Sequence, residues 1–195
     1  MVSQRGNDAP ETRLGGAPQS ILVIDDTPAD IGMLIATLSE AGYRVRAAPD
    51  GESAFEQARS TTPDLILLDA EMAGMDGFAT CRRLRQLPKL VETPVIFMIQ
   101  LSEPQDRVGA FAAGGDDYVT KPFQYQEVLG RVRLHLRHQT LEFELERLYR
   151  QFDKRVAERT VELKAAIAES EALRSLLQQE NHALKEEIRR RDEAK

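Results

Sequence analysis

The sequence predicts an α/β protein built on a five-stranded parallel sheet and followed by one long helix. Short apolar runs recur along the first two thirds of the chain: Ile21 to Ile24, a segment around Val45, Leu65 to Leu68, Val95 to Ile99, and Tyr118 with Val119. Runs this short, without polar alternation, suit strands buried on both faces. The intervening segments are long enough for helices, and strands alternating with helices predict right-handed crossovers covering both faces of the sheet. The long helix follows from a third observation. Beyond Pro122 there is no further proline, beyond Gly130 no further glycine, and the rest is rich in Glu, Arg, Leu, Ala and Gln. A helix from about Gln124 to Lys195 is expected.

Taken in order, residues 1–19 carry Gly6, Pro10, Gly15, Gly16 and Pro18 and few large apolar side chains. They are expected to form a disordered leader. The first strand starts at Ser20, and the first helix shows Ile31, Leu34, Ile35 and Leu38 at helical spacing before stopping near Gly42. The remaining strands and helices complete a domain over 20–137. Residues 138–195 form a helical tail continuous with its last helix.

Composition narrows the function. At 195 residues, 42% hydrophobic and 30% charged, the chain suits one domain plus a charged helical appendage. Cys81 is its single cysteine, so it has no internal disulfide and no thiol cluster for a metal, which predicts a reducing, cytoplasmic setting. No apolar run approaches the ~20 residues that cross a bilayer, and no signal-peptide core follows the N-terminus, so neither membrane insertion nor secretion is expected. A net charge of −6 argues against nucleic acid as a partner.

Ligands of open parallel sheets bind at the carboxyl ends of the strands. There the sequence places Asp25 and Asp26 after the first apolar run and Asp69 after the third. Any one of these could simply start a loop, but three convergent carboxylates suit a hard cation such as Mg²⁺. Lys121 follows the fifth strand and precedes Pro122, which can fix a cis turn that aims the lysine inward. A cation there could pair with a phosphoryl oxygen on Asp69, the plain alternative being a surface lysine at a loop.

Three segments carry a family resemblance: Ile21 through Asp25-Asp26; Asp64 through Asp69 with Met72 to Gly77; and Gly114 through Lys121-Pro122-Phe123. Together they resemble the receiver domain of two-component response regulators over residues 20–137. The resemblance implies a flavodoxin-like fold and a phosphoryl group passed to Asp69 from a sensor histidine kinase or phosphotransfer protein. It implies Mg²⁺ held by Asp26 directly, by Asp25 mainly through water, by Asp69, and by the backbone carbonyl of Glu71. A carboxylate attacks an anionic phosphoryl group poorly, so the metal and Lys121 must offset the accumulating charge.

One position departs from the family. Where it has Ser or Thr this chain has Ile99, and the small residue usually next is Gln100. The hydroxyl would donate to the phosphoryl group while the aromatic matching Tyr118 rotates into the space left. Isoleucine cannot donate, and a hydrogen bond to a charged group is worth on the order of 1.5–3 kcal/mol, so weaker coupling of phosphorylation to the switch is expected. Ile99 also reads as an extension of a buried strand, and Gln100 as a substitute amide donor.

Other features mislead. Gly114 to Asp117 is similar to a diguanylate cyclase signature but lies in the turn into strand five. His135 and His138 read as solvated helix residues, and Arg189 to Arg191 as a solvated helix end.

In the tail, Leu141, Leu145, Leu148, Phe152, Val156, Thr160, Leu163, Ile167, Ser170, Arg174, Leu177, Asn181, Leu184 and Ile188 recur at spacings of three and four. This pattern predicts a left-handed coiled coil with a stutter between Phe152 and Thr160 that locally unwinds it. Asn181 at a core position favours one register, and a parallel homodimer is expected. The output is then the tail itself, with no separate enzymatic domain. Two alternatives stand beside this: a pseudo-receiver acting as a constitutive dimeric adaptor, and the sensory half of a longer signalling enzyme.

Overall fold

The computed structural model describes residues 17–100 and 104–193. Five strands form one parallel sheet in the order β2-β1-β3-β4-β5. The strands are β1 Ser20–Ile24, β2 Arg44–Ala48, β3 Leu65–Asp69, β4 Val95–Gln100 and β5 Asp117–Lys121. The helices between and after them are α1 Pro28–Glu40, α2 Gly51–Ser60, α3 Gly77–Arg85, α4 Pro104–Ala112 and α5 Tyr125–Glu193, with a 3₁₀ turn at Pro88–Leu90.

The continuous apolar runs have their predicted cause. Alternate residues of each strand enter two cores, one on each side of the sheet. Ile21, Val23, Leu65, Leu67, Ile96, Met98 and Val119 pack with Leu34 and Leu38 of α1 and Val128, Val132 and Leu136 of α5. Leu22, Ile24, Ile66, Leu68, Val95, Phe97 and Ile99 pack with Ala54 and Ala58 of α2, Cys81 and Leu84 of α3 and Ala110 of α4. A strand with both faces covered has no polar side, so its sequence cannot alternate.

Local signals set the helix ends. Asp50 and Asp76 cap α2 and α3, their carboxylates accepting from the Ser53 and Ala79 amides at 2.7 and 2.6 Å. Gly42 closes α1 at φ 91°, a conformation open to glycine without steric cost.

The expected leader falls mostly on residues 1–16, outside those described. Its last residue corrects the boundary. Gln19 is buried and its carbonyl accepts from the Arg44 amide at 2.9 Å, because the slanted bonds of a parallel ladder reach the residue before its first pair, Ser20 with Arg44.

The chain divides into two compact units between Leu141 and Glu142. In the second unit every described side chain but Glu144 is exposed. The i,i+4 ion pairs Glu146–Arg150 and Glu186–Arg190 form at 3.1 and 3.5 Å. Exposed apolar residues include the expected Leu145, Leu148, Phe152, Val156, Leu163, Ile167, Leu177 and Leu184, but also Tyr149, Val161, Leu173 and Leu176, which lie off that seam. No described helix is long and apolar enough to cross a membrane.

Candidate functional site

The carboxyl ends of β1, β3 and β5 bring the predicted residues together. The Lys121 ammonium stands 2.7 Å from Asp69 Oδ2 and 3.2 Å from Asp25 Oδ2. Carboxylate oxygens of Asp25, Asp26 and Asp69 all lie within 4.8 Å of one another. Asp25 is fully buried and Asp69 is 3% exposed, while Asp26 is exposed. The Lys121–Pro122 peptide is cis, as the sequence suggested.

Backbone amides hold the carboxylates in place. The Thr27 amide donates to Asp25 Oδ1 at 2.7 Å, the Ala73 amide to Asp26 Oδ2 at 2.7 Å, and the Glu71 amide to Asp69 Oδ1 at 3.2 Å. The Glu71 peptide is therefore beside the cluster. Gly77 lets the start of α3 approach the end of β3, since a Cβ there would sit 2.0 Å from the Asp69 carbonyl oxygen.

Charge in the cluster is unbalanced. Burial pushes the Asp69 carboxyl above the ordinary carboxylate range, and Asp25 adds to the effect against the opposing pull of Lys121. Burial also acts to lower Lys121, but its pairing with Asp69 and Asp25 outweighs this and leaves the ammonium above its usual value. Asp69 rises because it is buried, and Lys121 because it serves several carboxylates. Asp30, which the sequence reading missed, is another, 3.5 Å from Lys121 Nζ. Its signal was an acidic residue in the first turn of the helix that follows the Asp25-Asp26 pair. An all-oxygen, carboxylate-rich cluster with surplus negative charge fits Mg²⁺.

The switch positions are arranged differently. Ile99 is 1% exposed and packs in the core that includes Phe97 and Ala110, so it does extend the buried strand. Tyr118 packs against the same core, edge-on to Phe111 at 5.9 Å and beneath the Arg107 guanidinium at 5.5 Å. Gln100 is exposed and lines a cleft of about 370 Å³ with Asp30, Lys121, Pro122, Phe123 and Tyr125.

Two further residues order the surroundings. Arg85 donates to the carbonyls of Leu90, Thr93 and Gly114 and pairs with Asp116 at 2.7 Å, tying α3 to the turn before β5. Gly114 to Asp117 is thus the entry into β5, as expected. His135 corrects the reading of a solvated residue. Its Nε2 lies 3.1 Å from Asp117 Oδ2, which Arg131 also binds at 2.9 Å, because β5 and α5 pack side by side.

A sheet of this order, with acidic residues and one lysine at its carboxyl edge, is the arrangement of a receiver-type signalling domain. The response regulator receiver domain family matches residues 21–133, and the chain belongs to that family. It is 43% identical over 117 residues to the DNA-binding dual master transcriptional regulator RpaA of Synechocystis sp. PCC 6803, covering 60% of this chain and 48% of that protein. The chain thus spans about half the length of the curated relatives it matches, including PhoP of Bacillus subtilis, 39% identical over 119 residues.

Among solved structures, the receiver domain of a histidine kinase from Syntrophus aciditrophicus superposes with a TM-score of 0.58 at 36% identity, covering 62% of this chain and 91% of that one. The receiver domain of the sensor histidine kinase PA1611 of Pseudomonas aeruginosa PAO1 does so with a TM-score of 0.58 at 30% identity, covering 62% and 98%. That structure holds a magnesium ion in its active-site cleft. RpaA is named as DNA-binding, so membership of this family does not support the expectation that nucleic acid is excluded.

Proposed function

We propose that this chain is a phosphorylation-controlled receiver in which Asp69 accepts a phosphoryl group from a phosphohistidine of a sensor histidine kinase or phosphotransfer protein, in a cytoplasmic setting. The observation that carries this reading is the convergence of Asp69, Lys121, Asp25 and Asp26 at one sheet edge.

Asp69 Oδ attacks phosphorus as the bond from phosphorus to the imidazole nitrogen breaks. The electron pair leaves with that nitrogen, which then takes a proton. Lys121 neutralises charge on the phosphoryl oxygens, and the amides of Glu71, Thr27 and Ala73 hold the carboxylates in place. Asp25, Asp26, Asp69 and the Glu71 carbonyl would hold Mg²⁺, which when bound supplies a Lewis-acid charge against the transferring group. The test is labelling by a small phosphodonor such as acetyl phosphate, with and without Mg²⁺. Label is expected on the Asp69 peptide of the parent and none on Asp69→Asn, which keeps the shape but loses the nucleophile. Equal labelling of both overturns the assignment.

The receiver runs over 20–137, since Leu136 is its last buried residue among those described, and the helical tail follows over 138–195. The tail is the output. Its exposed apolar seam cannot be stable in water as a lone helix, which supports a parallel homodimer through residues 141–188. The buried Ile99 favours one second reading, in which the receiver fold serves as a constitutive dimeric adaptor.

A further inference from the structure

Resting on the receiver reading above, we propose that the Gln100 side-chain amide donates a hydrogen bond to a phosphoryl oxygen on Asp69, so that the contact made by a hydroxyl at position 99 elsewhere in the family is made here from the opposite face of the sheet. The argument begins with strand alternation. On β4, Ile96 and Met98 enter the core shared with α1 and α5, whereas Val95, Phe97 and Ile99 enter the core shared with α2, α3 and α4. Gln100 follows in the register of Ile96 and Met98.

The reacting groups have the same register. Asp25 follows Ile21 and Val23, Asp69 follows Leu65 and Leu67, and Lys121 follows Val119, all on the α1 and α5 side. Gln100 is directly paired with Lys121 across the β4–β5 ladder. Its side chain opens into the cleft that also holds Lys121 and Asp30. A carboxamide carries two N–H donors on a flexible stem, so it suits an anionic oxygen beside the lysine.

The face matters for what the contact moves. A hydroxyl at position 99 would lie on the side where Tyr118 packs against Phe111 and Arg107. The cleft of Gln100 is instead walled by Phe123 and Tyr125, stacked edge to face at 5.8 Å where α5 begins. Occupancy of Asp69 is therefore felt first at the start of α5 rather than at Tyr118.

Beryllium trifluoride, which bonds to a carboxylate as a phosphoryl analogue, tests this on the full chain in the presence of Mg²⁺. Four proteins are titrated: the parent, Gln100→Leu, which keeps bulk without a donor, Gln100→Ala, and Asp69→Asn. The parent should bind and Asp69→Asn should not, while both Gln100 variants weaken binding by roughly tenfold or more, the factor expected for one hydrogen bond to a charged group. Hydrogen exchange on the parent should slow around Phe123 and Tyr125 more than around Tyr118. If Gln100→Leu binds as the parent does, the residue acts by bulk and the donor assignment is wrong. If the parent and Asp69→Asn are alike in failing to bind, the receiver reading itself falls and takes this proposal with it.

Discussion

The Lys121 ammonium reaches the Asp69 carboxylate at 2.7 Å although β4 lies between their strands in the sheet. The pair is closed above the end of β4, and Asp25 adds a second carboxylate from β1 at 3.2 Å. One cation thus stitches together the carboxyl ends of three strands, and its removal has a calculable consequence.

Lys121→Ala leaves Asp25 and Asp69 buried without a positive partner. Breaking a buried pair in this way costs about 3 kcal/mol. Because Mg²⁺ supplies the missing charge, its addition should raise the melting temperature of Lys121→Ala more than that of the parent. Thermal unfolding with and without Mg²⁺ measures the difference, and equal gains would show that the carboxylates do not share a cation site.

Ile99→Thr returns a hydroxyl to the Tyr118 side of the sheet. It should strengthen the response of Tyr118 to beryllium trifluoride while destabilising the fold by about 2 kcal/mol, the loss of apolar burial plus the cost of a buried hydroxyl. Hydrogen exchange around Tyr118 in parent and variant checks this. Identical responses would mean that position 99 does not limit the coupling.

Asp117 predicts an acid limb in the stability profile. Burial works to raise its carboxyl, but hydrogen bonds from Arg131, the Tyr118 amide and His135 outweigh it and hold the group below its ordinary value. A carboxyl depressed on folding contributes stability that is full above the unfolded value near ~3.9 and is lost as pH falls through the lower folded value. The stability difference between parent and Asp117→Asn should therefore shrink as the pH drops below about 4 in denaturant titrations. A difference that stays constant into that range would show that the Arg131 and His135 contacts contribute nothing in solution.

The tail is tested by truncation after Arg137. Leu136, the last buried side chain among the described residues, is retained, so the shortened protein should fold as a monomer while the full chain dimerises. Asn181→Leu should raise thermal stability and relax the choice of oligomer, since the polar core position restricts register. Sedimentation equilibrium decides: a monomeric full chain, or a truncation that dimerises equally well, removes the tail as the interface.

By itself the sequence determined the strand and helix order, the cluster of Asp25, Asp26, Asp69 and Lys121, and the long terminal helix. These are legible because two-sided burial demands continuous apolar runs, and because a segment free of proline and glycine has little else to be. Gln19 went astray because a ladder's length depends on the neighbouring strand, and His135 because its partner Asp117 lies 18 residues away on another element. Asp30 was hidden for the same reason, its distance to Lys121 being set by how α1 packs on the sheet. Only the tertiary structure decided that Ile99 and Gln100, adjacent in the chain, open onto opposite faces, one into a sealed core and the other beside Lys121. Alternation along a strand is a local property, but which face meets the reacting groups is settled by the register of β4 against β3 and β5.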